Sequence, residues 1–257
     1  MDDSAVGDMN ASSSYAAFLK SPESCLKHST YFHAYDSLFE KFRGKAITFV
    51  EIGVLNGGSL FMWRDFFGPD ARIIGIDLNP GAKKWEEHGF EIHIGSQEDL
   101  RFWDVFCADV GMVDIILDDG GHTYLQQIIT TEVLLDHIND GGMLVVEDTH
   151  TSYMDNFGDK RASFMTYVTQ FMHRINSRFG KFSPEQTDTR VWSLEIFESI
   201  VAFKVNRVKS ALKSTPTRNK VPEAENAAAD FRHHRVEMSD DIKQRTQELL
   251  ADAFKIY

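Results

Sequence analysis

The chain has 257 residues, 42% of them hydrophobic and 12% aromatic, enough apolar surface for a sizeable core, which excludes disorder as its overall state. With 27 basic and 39 acidic residues the formal charge is −12, which repels a phosphate backbone and argues against nucleic acid as a partner. Cys25 and Cys107 are too few for a disulfide framework and form no CxxC pair, so cysteine-ligated zinc is excluded and reduced thiols in a cytoplasm are expected.

The opening MDDSAVGDMNASSS is polar and lacks the basic-then-apolar pattern of an export signal. No run reaches the roughly 18 apolar residues of a membrane span. From Tyr15 to Gly44 aromatics recur at near-helical spacing, as in Tyr31, Tyr35, Leu38, Phe39 and Phe42, which predicts an N-terminal helical layer. Short, nearly continuous apolar runs follow: AITFVEIG at 46–53, ARIIGIDL at 71–78, FEIHIG at 90–95, VDIILDD at 113–119 and GMLVVED at 142–148. Each suits a strand buried on both faces. The stretches between them are long enough for helices, and one opens with a capping box at Thr123 and Gln126. Strands alternating with helices predict a doubly wound sheet of order 3-2-1-4-5. VWSLEIF at 191–197 and SIVAFKV at 199–205, separated by Glu198, predict an antiparallel pair closing it.

After Val205 the chain turns polar, and Arg207, Lys209, Lys213, Arg218 and Lys220 read as a solvated basic loop. SDDIKQRTQELLADAFKIY then reads as a capped amphipathic helix. The expected fold is therefore α/β: a Rossmann-like, mostly parallel sheet with a C-terminal antiparallel strand pair and added N- and C-terminal helices. The expected segments are a polar tail and helical layer at 1–45, a core at 46–205, and a polar loop and helix at 206–257.

The first strand runs through Glu51 into Gly53, Gly57, Gly58 and Ser59 and then into a helix, a turn that lets a ligand approach main-chain atoms. The spacing is neither GxGxxG nor GxxxxGK[ST], which weakens a nicotinamide dinucleotide and removes a P-loop. Asp77 closes the second strand, where an acid accepts the hydroxyls of a ribose. This ExGxxxGxS pattern, with Asp77 and the later GSQED at 95–99, resembles the cofactor site of class I S-adenosylmethionine-dependent methyltransferases. The resemblance implies that Glu51, Gly53, Gly57 and Ser59 surround the methionine part, Asp77 holds the ribose, and Ser96 and Gln97 flank the adenine. It also implies that Asp118 lies near the methionine amine. Gln97 reads equally well as a loop residue facing water.

Two further strand ends carry acids, Asp118 and Asp119 before Gly120-Gly121-His122, and Glu147 and Asp148 before Thr149-His150. Adjacent strands bring these ends together, and carboxylates crowded at one rim are costly unless neutralised. A divalent metal held by Asp119, Glu147 and Asp148 is the expected solution, Mg²⁺ first, with Ca²⁺ or Mn²⁺ open. His122 is the expected general base, with His150 its competitor.

DDGGH followed by VVEDTHTSY is similar to the signatures of metal-dependent sugar O-methyltransferases of the mycinamicin and macrocin type, and the similarity spans roughly 27–205. It implies methyl transfer to a hydroxyl of a sugar on a glycosylated natural product or polysaccharide, with His122 as base and Asp119, Glu147 and Asp148 as metal ligands. Gly121 stands where that family often has serine. The resemblance also implies a small-molecule or glycan substrate and a homo-oligomer. Three rivals stay open: a catechol-type O-methyltransferase, an NAD-dependent oxidoreductase, and a binding protein that keeps the fold without turnover. The acceptor pocket is expected to be lined by the N-terminal layer and by the stretch after Asp148, where Tyr153, Met154, Phe157 and Phe164 cluster.

Overall fold

The five apolar runs become parallel strands: β1 Thr48–Ile52, β2 Arg72–Asp77, β3 Glu91–Ile94, β4 Val113–Asp118 and β5 Ile138–Val146. The closing pair is β6 Val191–Phe197 and β7 Ile200–Val205. The computed structural model describes residues 12–179, 187–219 and 238–254. Its single seven-stranded sheet has the order β3-β2-β1-β4-β5-β7-β6, with β7 antiparallel to both β5 and β6. The doubly wound order and the terminal hairpin are as expected from the sequence. The order in which strands are added reverses between the parallel neighbours β1 and β4, so the carboxyl ends of these two strands open the crevice in which such sheets bind ligands.

Successive strand residues face opposite layers, which is why the runs are apolar throughout. Phe49, Ile73, Ile115 and Leu117 pack on one side with helices α1 (Ser13–Lys20), α2 (Tyr31–Phe39) and α3 (Gly58–Phe67). Val50, Ile74, Ile116 and Leu144 pack on the other with α4 (Leu100–Val110), α5 (Tyr124–Leu134) and α6 (Phe164–Asn176). The N-terminal helices are thus half of one covering layer. Phe49 lies 5.0 Å, ring to ring, from both Trp63 and Phe67, and Tyr35 lies 5.0 Å from Trp63. Burying each such ring stabilises the fold by about 1.5–3 kcal/mol.

The first helix starts earlier than the polar composition suggests. Ser12 caps it by accepting from the Tyr15 amide, and the Ser13 and Ser14 amides donate to the Asp36 carboxylate on α2 at 3.1 and 2.9 Å. Serines there satisfy a helix start instead of forming a tail. The Thr123/Gln126 capping box is present at the start of α5. On the far side, Glu132 of α5 accepts from Arg174 at 2.6 Å, Tyr167 at 3.0 Å and Arg190 at 3.2 Å, and Arg190 also pairs with Asp188 at 2.8 Å. This network ties α5 and α6 to the entry of β6.

The chain divides into two compact units, Met1–Ser214 and Thr215–Tyr257. The basic stretch opens with a helical turn, α7 Arg207–Ser210, capped by Asn206. The second unit contains α8 Asp240–Ala253, which begins within a residue of the expected capped helix. Residues 1–11 of the polar start, Lys220, and the last three residues of the expected terminal helix lie outside the described residues. Among the described residues no helix is long and apolar enough to cross a membrane.

Candidate active site at the carboxyl edge of the sheet

The turn after β1 is possible only for glycine. Gly53 has φ +93° and a Cβ there would lie 2.0 Å from the Asp119 carbonyl oxygen, while Gly57 has φ +79° and its Cβ would enter the Trp85 ring at 2.2 Å. Asp77 fastens this loop to β2: its Oδ2 accepts from the amides of Val54 and Leu55 at 2.9 Å each, and its Oδ1 from Asn79 at 2.7 Å. A carboxylate has about four acceptor positions, so capacity remains toward the cavity beside it.

That cavity, about 430 Å³, is walled by Gly53, Asp77, Ser96, Gln97, Asp119, Gly121, His122 and Asp148 among others. Leu26, Leu55 and Leu78 are exposed on its wall, an apolar surface suited to a planar base, and composition gave no hint of them. The cavity therefore brings together seven of the expected residues: Gly53, Asp77, Ser96, Gln97, Asp119, His122 and Asp148.

The other expected cofactor residues lie behind the wall. Glu51 is buried under the glycine loop, accepting from Ser59 Oγ at 2.7 Å and Trp63 Nε1 at 3.0 Å, and burial pushes its carboxyl up to about 7. Glu51 and Ser59 thus hold the loop and do not face the cavity, and Gly57 is covered by Trp85. Asp118 likewise turns inward, because it ends a strand whose alternation points Asp119 the other way. Asp118 Oδ1 accepts from Gln97 at 2.8 Å and from the Gly120 amide at 3.2 Å, and burial pushes this carboxyl up to about 7. Gln97 also donates to Thr130 at 3.1 Å and accepts from the Gly121 amide at 3.0 Å, so it braces the Asp119–His122 loop while lining the cavity.

The acids at the ends of β4 and β5 lie together at this edge, with three partners the sequence reading missed. Lys27, between α1 and α2, places its ammonium 2.6 Å from Asp119 Oδ2, 3.0 Å from Glu147 Oε2 and 3.9 Å from Glu51 Oε1. Tyr35 donates to Glu147 Oε1 at 2.5 Å, and Tyr31 donates to Asp148 Oδ1. Burial works against the charged lysine, but Asp119 and Glu147 more than reverse this and hold the ammonium well above its ordinary range. Burial raises the Glu147 carboxyl in spite of Lys27, and raises the Tyr35 hydroxyl as well. The signal available in the sequence was the hydroxyl pair Tyr31 and Tyr35 at i, i+4 on a helix face otherwise apolar.

His122 Nε2 lies 3.3 Å from Asp148 Oδ2 and 4.0 Å from Asp119 Oδ1. Ligand atoms of Asp119, His122 and Asp148 all fall within 4.8 Å of one another. Two carboxylate oxygens facing one space beside an imidazole, with negative charge in excess, fit a hard divalent cation. The backbone here is strained: Leu55, His122, Asp148 and Ser199 all have positive φ, between +47° and +61°. Such conformations cost about 1–3 kcal/mol each and gather at functional sites. Thr151 Oγ1 ties two of these loops together by donating to the carbonyls of Asp148 at 2.9 Å and His122 at 3.2 Å.

A second cavity, also about 430 Å³, lies against the same edge and is walled by His28, Tyr31, His150, Tyr153, Met165 and Glu198 among others. His150 is hydrogen-bonded through Nδ1 to Ser199 Oγ and faces this second space. Of the aromatics expected around an acceptor, Tyr153 is on the wall, whereas Phe164 is core, packed 6.3 Å from Phe203.

Residues 50–149 match a protein-family profile described as a methyltransferase domain. The 8-demethyl-8-alpha-L-rhamnosyl tetracenomycin-C 2'-O-methyltransferase of Streptomyces olivaceus is 32% identical over 197 residues, 70% of this chain and 51% of that protein. The mycinamicin VI 2''-O-methyltransferase of Micromonospora griseorubida is 34% identical over 194 residues, 67% of this chain and 47% of that protein. The chain thus spans about half the length of these relatives. Among solved structures, MycE methyltransferase from the mycinamycin biosynthetic pathway, in complex with Mg and SAH, superposes with a TM-score of 0.69 at 24% identity, covering 80% of this chain and 56% of that one. That likeness establishes the fold. Residues 50–149 thus carry a methyltransferase domain, and the chain is similar to O-methyltransferases that act on rhamnosyl tetracenomycin-C and mycinamicin VI.

Proposed function

We propose that the protein is a metal-dependent S-adenosylmethionine O-methyltransferase that methylates a hydroxyl of a sugar, on a glycosylated small molecule or glycan. The observation that carries the reading is the single crevice in which Asp77, Ser96 and the glycine loop meet Asp119, His122 and Asp148. Two curated relatives named as sugar O-methyltransferases, and a fold neighbour holding Mg and SAH, support it. When bound, S-adenosylmethionine supplies the methyl group and a divalent cation favours the ionised form of a coordinated hydroxyl.

The chain's own residues do the rest. Asp77 and the Val54–Leu55 amides it organises fix the nucleoside end, and Leu26, Leu55 and Leu78 exclude water from its base. Asp119 and Asp148 hold the cation side, and His122 accepts the acceptor's proton, a contribution worth about 10²–10⁴-fold. The second cavity, with Tyr153 and the imidazoles of His28 and His150, offers a stacking face and polar groups for the acceptor ring. Two free thiols, Cys25 and Cys107, support a cytoplasmic setting.

The test is turnover with S-adenosylmethionine, Mg²⁺ and a panel of rhamnosides and other glycosides, with catechols alongside. Asp119→Asn and His122→Ala are expected to lower turnover at least about 100-fold while S-adenosylhomocysteine still binds. Near-normal turnover in both variants would overturn the metal-and-base reading, and exclusive methylation of catechols would move the acceptor class.

A further inference from the structure

The sequence leaves His122 and His150 competing for one role, and the structure separates them. The two imidazoles flank the same carboxylate: His122 Nε2 lies 3.3 Å from Asp148 Oδ2, and His150 Nδ1 lies 3.9 Å from Asp148 Oδ1. They open into different spaces, His122 into the cofactor cavity and His150 into the second one. A smaller cavity of about 140 Å³ lies between, sharing Leu26, Asp119 and Asp148 with the first and His28 and Tyr31 with the second. An acceptor ring seated in the second cavity reaches the Asp119–Asp148 edge through this space, and His150 meets the part of the ring that does not react. The turn between β6 and β7 holds His150 in place. Ser199 Oγ is hydrogen-bonded to His150 Nδ1 at 2.5 Å and accepts from the His150 amide at 3.3 Å, while the Ser199 carbonyl accepts from the Thr149 amide at 3.1 Å. The same hydroxyl bonds that of Tyr31, which donates to Asp148. Engaging one ring nitrogen fixes the orientation of the ring and decides which nitrogen is left over. The one left, Nε2, has no hydrogen-bond partner among the described residues. Ser199 holds φ +61°, where glycine would be unstrained, and strain of this kind gathers at functional positions.

We propose that His150, oriented by Ser199, is a specificity residue: its Nε2 hydrogen-bonds a hydroxyl of the acceptor other than the one methylated, while His122 alone takes the proton. The inference deepens the proposed function and rests on its placement of the acceptor ring in the second cavity. A ring with a further hydroxyl on the side away from the cofactor satisfies Nε2. A ring without one covers that nitrogen and leaves it unpaired, which costs affinity. Ser199 touches no reactant and is a positioning residue.

The experiment is steady-state kinetics on the full chain with the glycoside that wild type turns over fastest, comparing His150→Ala, His150→Gln and Ser199→Gly. A glutamine amide hydrogen-bonds a hydroxyl but cannot act as a base, and glycine removes the Ser199 hydroxyl at a backbone it adopts without strain. His150→Ala is expected to raise the acceptor KM about five- to tenfold, with kcat within about threefold and the KM for S-adenosylmethionine unchanged. His150→Gln is expected to recover most of that loss, and Ser199→Gly to raise the acceptor KM about threefold. On the monodeoxy forms of the same glycoside, one is expected to abolish the difference between wild type and His150→Ala, because the hydroxyl that His150 holds is gone. An unchanged acceptor KM in His150→Ala, or a difference that survives on every monodeoxy form, would overturn the inference. A fall in kcat of about 100-fold in both His150 variants would make His150 the base and overturn it as well. A wild-type KM in Ser199→Gly would remove the positioning role. No turnover of any glycoside by folded wild type would sink the proposed function and the inference with it, whereas turnover that needs His122 and ignores His150 would sink the inference alone.

Discussion

The molecule holds two charged networks that use the same residue types to opposite ends. On the α5–α6 side, Glu132 and Asp188 meet Arg174 and Arg190, nearly one cation for each anion, with bonds of 2.6–3.2 Å. At the carboxyl edge, one ammonium, Lys27, serves Glu51, Asp119 and Glu147, with Asp148 beside them. Burial pushes Glu132 up, but the hydrogen bonds from Arg174, Tyr167 and Arg190 outweigh it and leave that carboxyl below its ordinary value. At the edge burial wins, and the Glu51 and Glu147 carboxyls are raised. A balanced network stabilises a fold; an unbalanced one, held on strained backbone, stores an affinity for a cation.

Substitutions separate the two. The largest effect is expected from Asp148→Asn at the edge, a loss of turnover of about 1000-fold with stability unchanged or raised, because like-charge repulsion is relieved. Parallel turnover and melting measurements check this, and a drop in stability matching the drop in turnover would erase the distinction. Gly53→Ala comes next. Its Cβ would strike the Asp119 carbonyl, so calorimetry is expected to find S-adenosylhomocysteine binding lost and denaturant unfolding to give about 3 kcal/mol less stability. In the balanced network, Glu132→Ala takes the carboxylate from the Arg174 guanidinium and the Tyr167 hydroxyl, while Arg190 keeps Asp188. Since that carboxylate is partly exposed, the loss is expected to be about 1–3 kcal/mol, with kcat/KM untouched.

The smallest effect is a difference in sign. Glu132 and Asp188 have depressed values in the folded chain, so the stability they contribute is present above the unfolded values of 4.5 and 3.8 and is lost as pH falls through the folded ones. Glu51 is raised to about 7, so its contribution is present below 4.5 and is lost as pH rises toward 7. Melting of the metal-free protein across this range is expected to show Glu132→Gln flattening the acid limb and Glu51→Gln flattening the decline toward neutrality. The same limb changed by both variants would mean that the networks do not differ in this way.

Local pattern carried much of the fold. Continuous apolar runs announced strands covered on both faces, and Thr123 with Gln126 announced the start of α5, because each depends only on neighbours in sequence. The acids at the ends of β4 and β5 were legible for the same reason. Lys27 was not: it meets Asp119 and Glu147 across 92 and 120 residues, and nothing in a lysine followed by His28-Ser29-Thr30 marks it as buried. The resemblance put Glu51, Ser59 and Asp118 around the cofactor, whereas strand alternation turns Glu51 and Asp118 beneath the cavity wall and Ser59, on α3, donates to Glu51 there. Strand parity at Asp118 and Asp119 was available as a signal, since neighbours on a strand cannot face the same way.

Calorimetric titration of the metal-loaded protein with S-adenosylhomocysteine, with NADH as the comparison ligand in the same buffer, tests most directly that this edge is a methyltransferase cofactor site. One-site binding of S-adenosylhomocysteine and none of NADH is the expected result. A folded protein that ignores S-adenosylhomocysteine, or binds NADH in its place, would contradict it.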